Sequence, residues 1–360
     1  MRVTGLNVSA YDVPTEEPES DGTLEWDKTT VVVVEPATED GTRGLGFTYG
    51  SRACATLVEE SLAGEVEGHD ALDVEAAWQA MVRKIRNNGR PGISSMAIAA
   101  VDVALWDLKA RLVGLPLFRL LGAVRDEVAV YGSGGFTSYS EAQLVDQLAG
   151  WVERGIPRVK MKIGRDPDAD PARVRAARDA IGDGAQLFVD ANGAYDRKQA
   201  SRLAADFEEL GVTWFEEPVS SDDLDGLALL REETELEIAA GEYGYDLPYF
   251  RRMLEAEAVD MLELDVSRCA GVSEWVRAAA LAHAFSIPVS SHCAQSIHAH
   301  VGCAVASCRH LEYFHDHDRV DRALFDGVLD PDGGTLRPDS DRPGLGLELK
   351  REEAERFRVA

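Results

Sequence analysis

Leu187-Phe188-Val189-Asp190, Trp214-Phe215-Glu216 and Ile238-Ala239-Ala240-Gly241-Glu242 are the stretches that decide how this chain folds. Each is a short apolar run closed by one carboxylate, and consecutive carboxylates lie 26 residues apart. The stretches between them have helical periodicity, so the repeating unit is one buried strand followed by one amphipathic helix. Extending the unit in both directions predicts eight strands, at residues 128–131, 158–162, 186–190, 213–216, 237–241, 260–264, 287–291 and 309–313. Helices are predicted between them, among others at 141–154, 171–181, 197–210 and 273–285. Eight strands alternating with helices point to a (β/α)-barrel more than to an open sheet. A doubly wound sheet is the alternative, and no GxGxxG follows a first strand to support it.

Outside this repeat the pattern changes. Thr29-Thr30-Val31-Val32-Val33-Val34-Glu35 reads as a strand and Gly44-Leu45-Gly46-Phe47-Thr48-Tyr49 as another after a turn. Residues 94–112 read as a helix with apolar positions on too many sides for a single stripe, so most of it is expected to be buried. Residues 1–120 are therefore expected to form an α+β domain and 121–330 the barrel. The Pro- and Gly-rich stretch 331–360 is expected to close the structure as turns and extended chain.

With 360 residues, 45% of them hydrophobic, the chain can bury a sizeable core. A formal charge of −27 offers no basic stripe for a phosphate backbone or an anionic membrane, so neither nucleic acid nor membrane is an expected partner. The N-terminus shows no basic segment followed by an apolar run, and a cytoplasmic location is expected. Five cysteines without a CxxC pair argue against a disulfide framework or a zinc ribbon. Cys293 follows His292, but neighbours on a strand face opposite ways, so a packed thiol is expected rather than a nucleophile.

In a barrel the C-terminal strand ends surround one site, which brings Asp190, Glu216 and Glu242 together. Any one of them could simply begin a solvated loop. Three at one repeat spacing would repel each other without a cation, and hard oxygen ligands in that number suit Mg²⁺. The chain has seven lysines against thirty arginines, yet Lys160 and Lys162 alternate on one strand and so share a face. Inside a barrel one ammonium would depress the pKa of the other and leave a neutral amine as a base; on an edge strand both would merely be solvated. His292 ends the seventh predicted strand and Asp265 the sixth, an arrangement in which the carboxylate can orient the imidazole. Glu312, near the end of the eighth, could donate a hydrogen bond if protonated. His298 and His300 lie in a predicted helix, where i and i+2 do not face each other, and receive no role; neither do His315 and His317.

Taken together these residues resemble the enolase superfamily and, within it, the mandelate racemase group. The motifs that carry the resemblance are Val159-Lys160-Met161-Lys162-Ile163-Gly164, Val189-Asp190-Ala191-Asn192-Gly193, Phe215-Glu216-Glu217-Pro218, Gly241-Glu242, Leu264-Asp265-Val266-Ser267-Arg268, Ser290-Ser291-His292 and Leu311-Glu312. Ala100-Val101-Asp102-Val103-Ala104-Leu105-Trp106-Asp107 and Pro343-Gly344-Leu345-Gly346 extend it over nearly the whole chain. One departure is Ala270, where relatives more often carry glycine; it concerns loop shape.

The resemblance implies a modified TIM barrel, (β/α)₇β, with an N-terminal α+β capping domain and a C-terminal segment packing back on it. It implies Asp190, Glu216 and Glu242 as Mg²⁺ ligands, with Glu216 rather than Glu217 the ligand of that pair. Lys162 and a His292–Asp265 dyad would flank the substrate, with Lys160 and Glu312 at its carboxylate and Asn192 in contact with it. The loops at residues 15–28 and 49–53 would cover the site, with Trp26 and Tyr49 facing the substrate or packed. The implied activity is removal of the proton α to a carboxylate through an enediolate. Dehydration of an acid sugar to a 2-keto-3-deoxy acid is the expected outcome. Racemisation, epimerisation or cycloisomerisation is the alternative, and a homo-oligomer is implied. A catalytically silent barrel acting as a binding protein would have lost a base or a ligand, and none is missing.

Overall fold

The computed structural model describes residues 1–360. Its first part is an antiparallel sheet of β1 (Val3–Ser20), β2 (Glu25–Thr38) and β3 (Gly46–Tyr49), in that order. The helix Ile93–Leu112 lies on β2 and β3, and a side chain at Gly46 would run into the backbone nitrogen of Ala104. Glycine is what allows that close approach. As its composition predicts, this helix is buried almost all round, because the sheet takes one side and the barrel another. Its Trp106 donates from Nε1 to Ser273 Oγ at 2.9 Å, and Asp102 accepts from the Ser273 hydroxyl at 2.7 Å.

Eight parallel strands follow: β4 (Val128–Gly134), β5 (Arg158–Lys162), β6 (Gln186–Asp190), β7 (Val212–Glu216), β8 (Glu237–Ala240), β9 (Met261–Leu264), β10 (Val289–Ser291) and β11 (Cys308–Phe314). They pair in sequence order and β11 pairs back to β4, which closes the barrel. Helix starts follow local chemistry: Ser140 with Gln143 and Asp196 with Gln199 form capping boxes at two of them. No helix is long and apolar enough to cross a membrane.

Alternation along the strands sorts the barrel interior into layers. Tyr131, Phe188, Trp214, Ala239 and Met261 form one buried apolar layer, in which the Phe188 and Trp214 rings stack with centroids 5.1 Å apart. On β5 the place level with Phe188 is taken by Lys160, and two residues further along β5, β6 and β7 come Lys162, Asp190 and Glu216, in register with one another. The apolar layer is thus a floor for a charged one, and Trp214 supports it directly by donating to Glu216 Oε2 at 3.0 Å.

The stretch 15–28, expected as a loop, is instead a hairpin: β1 continues to Ser20, a short turn follows and β2 begins at Glu25. Two prolines, Pro14 and Pro18, and a register shift between Pro14 and Glu19 hide the strand pattern there. The C-terminal segment pairs Thr335–Leu336 with β4 and then crosses to the first sheet, where Val359 donates to the Ala10 carbonyl at 2.8 Å.

Candidate active site

Asp190 and Glu216 end β6 and β7, and Glu242 lies two residues past β8. All three are buried, and one carboxylate oxygen from each lies within 4.8 Å of the other two. Burial raises the Glu216 carboxyl well above its ordinary range and the Asp190 charge raises it further. Glu217, Glu263, Asp265 and Glu312 are buried in the same region, against Lys160, Lys162, Arg268 and His292. Carboxylates are in excess, and Glu242 Oε2 is buried without a hydrogen-bond partner. Three buried hard oxygens, one of them unpartnered, fit a divalent cation such as Mg²⁺.

Lys160 is fully buried, with Nζ 2.8 Å from Glu312 Oε1 and 3.4 Å from Asp190 Oδ2; it also pairs with Glu216. Lys162 pairs with Asp190 and opens onto the cavity. The depressed amine expected for Lys162 does not appear. Burial and Lys160 both pull its pKa down, but the surrounding carboxylates, foremost Asp190 set directly opposite by the β5–β6 register, with Glu216 and Glu242, together outweigh them and raise it. Glu312 also departs from expectation. Burial alone would favour its protonated form, yet Lys160, with His292 and Lys162, prevails and holds the carboxyl well below the usual range. Glu312 is therefore an acceptor, taking bonds from Ser133 Oγ at 2.6 Å and the Cys293 backbone nitrogen at 2.6 Å.

His292 Nδ1 lies 2.8 Å from Asp265 Oδ2, and Nε2 lies 3.3 Å from Glu242 Oε2. Burial opposes protonation of this imidazole, but the Glu242 charge and the Asp265 hydrogen bond raise its pKa. Asp265 Oδ1 accepts from Ser267 N and Oγ, both at 2.7 Å, which locks the carboxylate that orients the ring. Cys293 is not turned away from His292 as strand alternation predicts. β10 ends at Ser291 and Cys293 has a positive φ of 49°, so its Sγ comes within 3.3 Å of His292 Nε2. Burial raises the thiol pKa well above its ordinary value, which keeps it a thiol.

A cavity of about 320 Å³ opens above these groups. Lys162, Asn192, Glu242, Asp265 and His292 line it from the barrel, and Trp26 and Tyr49 line it from the first sheet. Asn192 Oδ1 is buried without a partner, while its backbone nitrogen donates to Asp190 Oδ1 at 2.9 Å. Trp26 donates to Glu19 Oε2 at 3.0 Å and meets Phe136 edge-on; Tyr49 bonds Asp321 through its hydroxyl. Lys160 and Glu312 lie beneath the lining rather than in it.

The structure adds residues to which the sequence pattern attaches no role. Arg268 bonds Glu242 Oε1 at 3.0 Å, lies 3.4 Å from Asp265 Oδ2 and reaches the cavity. Glu263 faces the barrel interior near Tyr131, and its place two residues before Asp265 is a period-two signal that would have found it. His317 and Asp316 line the cavity from the start of the helix His315–Leu324; no spacing in the sequence ties them to the strand ends. His298 accepts at Nε2 from the Val266 backbone nitrogen, and His300 accepts at Nδ1 from that of Phe118, so both serve as packed structural residues.

Comparison with known proteins matches residues 143–354 to the enolase C-terminal domain-like family and residues 7–122 to the mandelate racemase/muconate lactonizing enzyme N-terminal domain. The chain belongs to the mandelate racemase/muconate lactonizing enzyme subgroup of the enolase superfamily. It is 31% identical to the L-talarate/galactarate dehydratase of Salmonella typhimurium over 99% of this chain and 91% of that one. It is 35% identical to the 3,6-anhydro-alpha-L-galactonate cycloisomerase of Streptomyces coelicolor, over 91% of each. The crystal structure of a mandelate racemase/muconate lactonizing enzyme-like protein from Rubrobacter xylanophilus superposes with a TM-score of 0.97 at 56% identity, covering both chains fully. That of the L-talarate dehydratase of a Polaromonas species, complexed with Mg and L-glucarate, superposes at 0.91 with 32% identity, over 100% of this chain and 98% of that one.

Proposed function

We propose that this protein uses Mg²⁺, held by Asp190, Glu216 and Glu242, to remove the proton α to a carboxylate and dehydrate an acid sugar to a 2-keto-3-deoxy acid. The observation that carries the proposal is that Lys162 and the His292–Asp265 dyad line one cavity with Glu242 of the carboxylate triad. When bound, Mg²⁺ supplies stabilisation of negative charge on the substrate carboxylate. With Asp190 committed to the metal, the charge that holds Lys162 protonated is neutralised, and Lys162 in its neutral form takes the α-proton from one face, or His292 Nε2 takes it from the other. The electron pair of the broken C–H bond is first delocalised into the carboxylate as an enediolate, which either regains a proton at C2 or forms the C2–C3 double bond as the C3–O bond breaks, the opposite group, in its protonated form, giving its proton to the departing hydroxyl. Water leaves, and the enol takes up a proton at C3 to become the keto acid. Positioned bases contribute about 10²–10⁴-fold, and charge stabilisation at the carboxylate supplies the rest.

Thr29, Thr30, Asn192 and Asp316 place hydrogen-bonding side chains in the lining, which favours a hydroxylated substrate over an aromatic one. Cycloisomerisation is the second reading, supported by the Streptomyces coelicolor relative, because the same two bases serve it. The test is incubation with Mg²⁺ and a panel of sugar acids and aromatic 2-hydroxy acids in D₂O, followed by NMR. α-Deuteration with a 2-keto-3-deoxy product is expected for a sugar acid. Lys162→Ala and His292→Asn should each abolish exchange from one face. Exchange with no acid, or unchanged exchange in both variants, would overturn the proposal.

A further inference from the structure

The roof of the cavity differs in chemistry from its floor. Three cations line the cavity, and each already holds a protein carboxylate: Lys162 holds Asp190, Arg268 holds Glu242, and Lys28 holds Asp12. Lys162 and Arg268 belong to the reacting end, among the carboxylates that gather there. At the roof Lys28 is the sole cation of the lining, half-exposed and turned to Asp12, while Asp21 and Asp316 face the same space. Asp316 takes one donor on each oxygen, from Thr29 Oγ1 and from Arg319, which leaves each oxygen able to accept a second.

His317 stands beside Asp316. Its ring stacks on Tyr49 with centroids 3.5 Å apart, it is 8% exposed, and its Nδ1 is buried with no partner. Burial lowers its pKa to about 4, so the ring is neutral and offers one donor and one acceptor. That pair matches a hydroxyl group, which is likewise donor and acceptor at once, and gives a carboxylate no counter-charge.

We infer that the substrate is a monocarboxylic sugar acid, an aldonate, whose hydroxylated tail is read by Asp316 and His317, and that dicarboxylic aldarates are disfavoured. The inference rests on the dehydratase reading, since the single carboxylate is the one beside the abstracted proton. A second carboxylate at the far end would meet Asp21 and Asp316, while Lys28, the one cation of that lining, is already paired with Asp12, and Arg319, outside the lining, with Asp316.

The test uses the Mg²⁺-loaded enzyme and pairs of equal length and stereochemistry, gluconate with glucarate and galactonate with galactarate. The better aldonate is expected to exceed its aldarate partner in kcat/KM by at least about 100-fold, the scale of unrelieved like-charge contact. Asp316→Asn keeps the shape and removes the charge. It should lower kcat/KM on the aldonate about 10-fold or more and narrow the ratio to the aldarate, whereas a purely structural role would lower both alike. His317→Asn should raise KM for the aldonate more than it lowers kcat. Aldarates turned over as well as or better than aldonates would overturn the inference and leave the dehydratase reading standing. α-Proton exchange with no sugar acid at all would overturn both, and the wild-type ratio decides the matter even if a variant fails to fold.

Discussion

Replacing Asp265 with asparagine isolates one of the two proposed bases. Asp265 Oδ1 accepts two hydrogen bonds from Ser267, at 2.7 Å each, so the amide oxygen of the replacement must take that position. The amide NH₂ then faces His292 Nδ1, which in the wild type lies 2.8 Å from Asp265 Oδ2. Nδ1 is forced to accept, the ring proton moves to Nε2, and the nitrogen directed at Glu242 and the cavity can no longer take a proton. A positioned base is worth about 10²–10⁴-fold, or about 3–5 kcal/mol of barrier. Exchange from the His292 face should fall by that factor, while exchange from the Lys162 face stays within about 10-fold because Asp190 and Lys162 are untouched. The assay is ¹H NMR of both C2 epimers of a reactive acid in D₂O, where the face of exchange identifies the base. An equal fall on both faces, with an unchanged melting temperature, would show that Asp265 does not act through His292. Undiminished exchange would remove the dyad from the mechanism.

Further outcomes follow from other groups. Adding Mg²⁺ to metal-free protein should raise its stability by about 2.7 kcal/mol at 100 times Kd, and Glu242→Gln should weaken Mg²⁺ binding at least about 10-fold, both read by thermal melts and calorimetry. Asp107 accepts from the backbone nitrogens of Leu45 at 2.7 Å and Leu345 at 2.6 Å and from Arg111 Nε at 2.6 Å. Asp107→Ala leaves these buried donors unpaired, and urea unfolding should show a loss of about 3–5 kcal/mol. Burial raises Asp102 from 3.8 to about 7 against the pull of its Ser273 bonds. Its folded pKa exceeds its unfolded one, so its contribution to stability is full below about pH 4 and is lost as pH rises through about 7. Asp102→Asn should flatten the stability profile over that window in urea melts; an unaltered slope would contradict the assignment.

Much of the barrel and its site was legible because both are written in local periods. A buried strand and its helix recur at fixed spacing, and the residues at or just past a strand end face the site whatever the rest of the chain does, which is why Asp190, Glu216 and Glu242 could be picked out. Alternation likewise put Lys160 and Lys162 on one face. Strand limits were less legible: β4 runs to Gly134 and β10 begins only at Val289, because pairing with neighbours decides where hydrogen bonding starts and stops. The hairpin spanning 15–28 escaped notice since its prolines and acids carry no strand signal, and its partner strand supplies the pairing.

By itself, then, the amino-acid sequence determined the strand and helix repeat, the residue types at the strand ends and the charge excess that calls for a cation. Protonation states and the roof of the cavity were decided only by tertiary structure. Lys162 is held protonated by carboxylates from neighbouring strands, foremost Asp190 across the β5–β6 pairing, and Glu312 is held ionised by Lys160 together with His292 and Lys162 inside the barrel. Asp316 and His317 meet the site because a hairpin and a helix from opposite ends of the chain close over it. Electrostatic effects depend on distance through space, and the chain order of the residues carries no measure of that distance.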